Sequence, residues 1–188
     1  MKRHALTKHK IFQTLTVVAC LLFTAGIAHA AFRTTVTKSK NFKMADIKKV
    51  AIITTQCHDE VDCANLERRV IGELKKIKKV TFGTVPESDL REFLFSKGST
   101  AYTPELRQAI LDEFAIDAFM EIKVPFAEKG DGFGGIESSK VKVELTITQP
   151  DGAILLHGVG IGRPNNVVSS PERVAGNVVE DIVEEAFK

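Results

Sequence analysis

Leu111–Val124 reads LDEFAIDAFMEIKV, and two periods meet inside it. Leu106, Ile110, Leu111 and Phe114 are spaced as one face of a helix. From Ala118 the period falls to two. Ala118, Met120, Ile122 and Val124 alternate with Phe119, Glu121 and Lys123, the pattern of a strand with one apolar face. Asp117 stands at the junction and reads as a cap or turn residue rather than a catalyst.

Upstream, strand and helix alternate. Lys49–Thr55 carries the β-branched run Val50-Ala51-Ile52-Ile53, suited to a strand covered on both faces. Asp62 can cap a helix whose stripe is Leu66, Val70, Ile71, Leu74 and Ile77. Val80–Val85 is a second strand, stopped by Pro86, and a short helix follows over Asp89–Lys97. Thr103 and Pro104 then open the helix that leads into the quoted stretch.

Downstream the pattern is that of hairpins. Pro125 and the glycine-rich Lys129–Gly135 should end the third strand. Val141, Val143, Leu145 and Ile147 alternate with polar residues in a fourth. Gln149-Pro150-Asp151-Gly152 is a tight turn, and Ala153–Ile161 is a fifth strand. Ser170 and Pro171 open a last helix with the stripe Val174, Val178, Ile182, Val183 and Phe187.

Helices link the first three strands, so these should run parallel with right-handed crossovers; hairpins make the fourth antiparallel to both neighbours. The expectation is an α/β fold with a five-stranded mixed sheet in the order 2-1-3-4-5 and helices on its faces. Residues 46–188 form its single domain, and residues 31–45 an irregular lead-in arm with room for a partial strand.

Residues 1–30 read as an export signal. Lys2, Arg3, Lys8 and Lys10 precede the apolar Ile11–Ile27, and Ala28-His29-Ala30 is an A-x-A cleavage site. Val17-Val18-Ala19-Cys20 resembles a lipid-attachment box, but a further mostly apolar run follows Cys20 where a polar tether is usual. A soluble periplasmic product without a membrane span is therefore expected. Those 30 residues hold four of the 26 basic residues and no acid, which leaves 22 basic against 24 acidic residues. A near-neutral chain lacks the main driving force for non-specific nucleic-acid binding.

Beyond residue 30 only Cys57 and Cys63 remain, and in an oxidising compartment two close cysteines read first as a disulfide. With His58 they could instead ligate zinc, but a fourth ligand is missing nearby. Gly158-Val159-Gly160-Ile161-Gly162 lies in a late hairpin strand rather than at a strand-to-helix turn, so it reads as a closely approached or bulged strand and not as a dinucleotide loop. Gly132, Phe133 and Gly134 read as a hairpin tip with Phe133 as an anchor for a partner. Nucleophile-elbow, zinc-protease and calcium-loop motifs are absent from the sequence, and neither a cofactor nor a resident metal is expected. The alternative is a small-ligand-binding protein or hydrolase whose pocket would use Gln56, His58 and Asp59 at the carboxyl ends of strands one and three.

Lys48–Ile53 (KKVAII), Pro86–Leu94 (PESDLREFL), Phe114–Val124, Val141–Ile147 (VKVELTI) and Asp151–Gly158 (DGAILLHG) recur in this order before a terminal helix. The arrangement resembles the α/β domains of the curli-secretion protein CsgG, the N-terminal domain of TolB and LpoB-type activators of peptidoglycan synthases. The resemblance implies a non-enzymatic protein that docks onto an envelope protein or assembly, with an oligomer as one form. It carries over no catalytic residue, and the chain lacks the membrane-spanning hairpins of CsgG and the propeller repeats of TolB.

Overall fold

Asp117 ties the quoted stretch to the strand beside it. In a computed structural model, which describes residues 31–40, 42–43, 47–77, 83–100, 102–130, 138–163 and 169–187, its Oδ2 accepts from the backbone N–H groups of Lys48 and Lys49 at 2.8 and 2.9 Å. Its own N–H donates to the carbonyl of Lys49. The Lys49 ammonium reaches back to the carbonyl of Phe114 at 2.7 Å, satisfying one of the open carbonyls at a helix end. The junction is thus more than a local cap: it fixes where two parallel strands start, across 68 and 69 residues of sequence.

Among the described residues there are six strands and four α-helices. The strands are β1 (Ala31–Lys38), β2 (Lys49–Gln56), β3 (Gly83–Val85), β4 (Ala118–Gly130), β5 (Ser138–Thr148) and β6 (Ile154–Arg163). The helices are α1 (Cys63–Lys76), α2 (Glu87–Ser96), α3 (Arg107–Phe114, entered through a 3-10 turn at Pro104–Leu106) and α4 (Pro171–Phe187). The sheet order is β1-β6-β5-β4-β2-β3. β2 is parallel to β3 and β4, and β5 is antiparallel to β4 and β6.

The fold class is the expected mixed α/β, with corrections in detail. The sheet has six strands, not five, because the lead-in arm is a strand over Ala31–Lys38, antiparallel to β6 at the edge. Its threonines and basic residues mask an alternation in which Phe32 and Val36 pack against the main core. β4 also runs past Pro125 to Gly130. The β4–β5 register shifts between Lys123 and Phe126, and such an irregularity is where a strand tolerates proline. Of the expected second strand, Gly83–Val85 is seen as β3, and residues 80–82 lie outside the described residues.

Two of the helix starts are capped by side chains. Asp62 accepts from the N–H groups of Ala64 and Asn65 to cap α1, and the Ser170 hydroxyl accepts from Arg173 N–H to cap α4. α1 and α4 cover one sheet face, where Val50, Ile52, Met120, Ile122, Leu145, Ile147 and Leu156 meet Val70, Leu74, Val178 and Ile182 in the main core. α2 and α3 cover only part of the other face. A second, smaller core there holds Ala51, Val85, Leu90, Leu94, Ile110, Ile116 and Phe119.

The glycines of β6 make the α4 contact possible. A Cβ on Gly160 would lie 2.3 Å from Val178 Cγ1, and one on Gly158 would lie 2.5 Å from Ile182 Cγ2. Both are branch methyls of stiff β-branched side chains that cannot swing clear. We expect Gly160→Ala to force α4 off the sheet and cost about 1–3 kcal/mol, read from urea unfolding. An unchanged midpoint would mean that α4 does not seat on β6 in this way.

Candidate functional site

The loop after β2 holds the expected disulfide pair and the expected polar pocket residues. Cys57 and Cys63 are bonded to each other with Cα atoms 5.5 Å apart, bridging the end of β2 to the first residue of α1. Val61 N–H donates to the His58 carbonyl and Glu60 N–H reaches His58 Nδ1 at 3.5 Å, so the loop folds over His58. With both sulfurs engaged, the Cys57-His58-Cys63 set offers a metal only one imidazole. Gln56, His58 and Asp59 are exposed and line neither of the two principal cavities described below. Removing the disulfide with Cys57→Ser and Cys63→Ser should cost about 2 kcal/mol, since the closed loop is short. Thiol labelling of the unreduced, denatured protein should find both residues blocked; labelling at either would break the bridge.

The sequence reading missed a polar cluster near the end of β2. Glu87, on the first turn of α2, is 9% exposed. Its Oε2 accepts from Thr55 N–H at 2.7 Å and its Oε1 from the Arg91 guanidinium. Glu67 on α1 accepts from Glu87 N–H at 2.9 Å and from the Thr55 hydroxyl at 3.3 Å. In sequence Glu87 looks like an ordinary acid at a helix start, and only the crossing of α1, α2 and β2 buries it.

This cluster borders a groove of about 600 Å³ between α2 and the residues that follow it. Ile53, Leu90, Leu94 and Tyr102 supply apolar lining, Arg91, Glu92, Ser99 and Thr100 supply polar lining, and Phe95, 78% exposed, also borders it. The Tyr102 ring meets Phe119 edge-on at 5.5 Å and lies under the Arg107 guanidinium at 5.6 Å. Its hydroxyl is buried without a hydrogen-bond partner, and burial pushes the phenol pKa up. A second cavity, of about 240 Å³, lies between α1 and α4 and is lined by Asn65, Arg69, Ser170, Glu172 and Arg173 among others.

Next to the groove, the partly covered face of the sheet is polar. Glu121 pairs with Lys123 at 2.9 Å and Lys142 with Glu144 at 2.6 Å, and Thr146 Oγ1 lies 3.0 Å from His157 Nδ1. The bond to Lys142 holds the Glu144 carboxyl below its usual pKa. Exposed Phe126 lies under the Lys140 ammonium at 5.1 Å, and Ile154 and Ile161 are also exposed. Flat paired charges with scattered apolar groups suit contact with a protein surface better than enclosure of a small molecule. The tip residues Gly132, Phe133 and Gly134, the cleavage residues Ala28 and Ala30, and Cys20 lie outside the described residues. Among the described residues no helix is long and apolar enough to cross a membrane.

No family model and no curated protein matches the chain. Solved structures do. The PelC dodecamer from Paraburkholderia phytofirmans is similar over 84% of this chain and 98% of its own, with a TM-score of 0.56 at 14% identity. A single-substitution variant of that dodecamer is similar over 82% and 95%, with a TM-score of 0.53 at 16% identity. A lipoprotein from Neisseria meningitidis is similar over 73% and 96%, with a TM-score of 0.44 at 14% identity. At such identities the PelC likeness is one of fold.

Proposed function

We propose that this chain is an exported, periplasmic, non-enzymatic protein that docks onto an envelope protein or assembly and acts as an accessory factor there. The observation that carries this reading is the sheet face left partly open beside α2 and α3, with its paired charges and exposed Phe126, Ile154 and Ile161. The PelC fold supports it, because that neighbour is a homo-oligomer. The Cys57–Cys63 bridge suits an oxidising compartment, and residues 1–30 carry the pattern of a cleaved signal with Ala31 as the first residue of the product. The finer likeness to CsgG, TolB and LpoB domains belongs to this proposal, as does a docking role for Phe133.

Crosslinking in cells followed by capture tests it. The expected result is one reproducible envelope protein, with capture lowered at least several-fold by Phe133→Ala while the melting temperature stays within about a degree, as for an exposed contact residue. Failure to capture any envelope protein overturns the reading.

A small-ligand binder is the second reading, favoured by the unpartnered Tyr102 hydroxyl beside the α2 groove. Its site would be that groove, not Gln56, His58 and Asp59. Native mass spectrometry would show a stoichiometric small ligand, lost in Tyr102→Phe.

A further inference from the structure

β1 ends the sheet on one side, and among the described residues no strand pairs with its outer edge. Edge strands are normally blunted by brevity, proline, a bulge or charged side chains, and of these β1 carries only Arg33 and Lys38. At the opposite edge, β3 has three residues among those described. β1 has eight residues, no proline and an unbroken register with β6 from Ala31 to Lys38. Its outer row of N–H and C=O groups is a template for another strand.

The sequence of β1 says which strand fits. In an antiparallel pair, residues directly opposite share a face, so β1 can pair with a second β1 about a two-fold axis through one residue. With the axis at Thr34, Phe32 of each copy stands opposite Val36 of the other, Thr34 opposite Thr34, and Arg33 opposite Thr35. An aromatic residue opposite a β-branched one and threonine opposite threonine are favourable cross-strand pairs, and no like charges face each other. Shifting the axis to Thr35 would set Phe32 opposite Lys38. Phe32 and Val36 are only partly buried at the edge of the main core, so the pairing would extend that core across the two copies. Among the described residues β3 has three residues, too few to offer β1 a partner of equal length.

We propose that β1 is a self-association edge, and that two copies of this chain join there into one continuous twelve-stranded sheet with Thr34 on the two-fold axis. This deepens the assembly reading above, on which it rests, by naming the surface and the partner. The contact closes after two copies, so the expected species is a dimer or an even multiple of it.

The test uses the full-length chain, expressed with its own N-terminal segment and purified after export. Sedimentation of the parent should show an even-numbered oligomer. Opposed residues in a pair of strands have Cβ atoms about 4.5–5.5 Å apart, within reach of a disulfide after small adjustment. Thr34→Cys under mild oxidation should therefore convert most of the protein to a covalent dimer on a non-reducing gel. Thr35→Cys and the parent should stay uncrosslinked. Equal melting temperatures for both variants and the parent would show that neither substitution disturbs the fold. A monomeric parent, an uncrosslinked Thr34→Cys, or crosslinking of Thr35→Cys in its place overturns the proposal. The docking reading has its own readout in the cellular capture: an oligomer without the Thr34 crosslink sinks the edge assignment alone, and a crosslinked dimer that captures no envelope protein sinks the docking role alone.

Discussion

Phe119→Ala is expected to remove about 3–5 kcal/mol of stability, read as a large fall in the urea midpoint with little change in slope. Phe119 is fully buried and is among the largest side chains that are. It stands on β4 beneath α2 and α3, in a core of seven buried residues among those described. A small cluster has few neighbours to collapse into the space, so most of the cavity would persist. Tyr102 would also lose its edge-on contact, worth about another 0.5–1.5 kcal/mol by itself. Tyr102 lines the groove and packs on Phe119, so hydrogen exchange at Tyr102 should speed up more than in α4. A variant that melts like the parent would mean that α2 and α3 do not form a core on this face.

Phe119 also marks where sequence reading runs out. Period two assigns it to the face of Glu121 and Lys123, and that assignment of face is correct. What the period cannot express is that the face changes character along one strand, from core beneath the two helices to paired charges beyond them. The starts of α1 and α4 were legible because Asp62 and Ser170 act on N–H groups two and three residues away. The Gln149–Gly152 turn was legible for the same local reason, and Gly152 adopts φ +90° there. β1 was legible only as a partial strand, since its full strand character depends on β6 offering glycines and a free edge more than 120 residues later. Pro125 misleads because proline by itself signals a strand end, whereas a register shift accommodates it.

The site divides in the same way. Cys57 and Cys63 stand six positions apart, and proximity in sequence was enough to suggest the bridge. The Thr55–Glu67–Glu87 cluster draws on β2, α1 and α2, and no local pattern announces it. Tyr102 sits in an irregular segment whose burial comes from Phe119 and Arg107.

On the other face of the same strand, Met120→Ala is expected to cost about 2–5 kcal/mol. Met120 is fully buried and stands in register with Ile52 of β2 on one side and Ile147 of β5 on the other, at the centre of the main core. That core is larger than the one around Phe119 and is covered by both α1 and α4, so more atoms can shift toward the gap and the cost should fall lower in the range than for Phe119. Met120→Leu, which nearly conserves volume, should stay within about 1.5 kcal/mol. The pair of variants separates cavity from chemistry: a large loss for alanine with a small one for leucine is the mark of packing. If docking uses the open face and the Phe133 tip, capture by Met120→Ala should fall only as far as the folded fraction does, while Phe133→Ala lowers capture at full stability. Equal losses for alanine and leucine at position 120 would point to strain in the strand itself, and would remove β4 from the place between β2 and β5 on which the architecture depends.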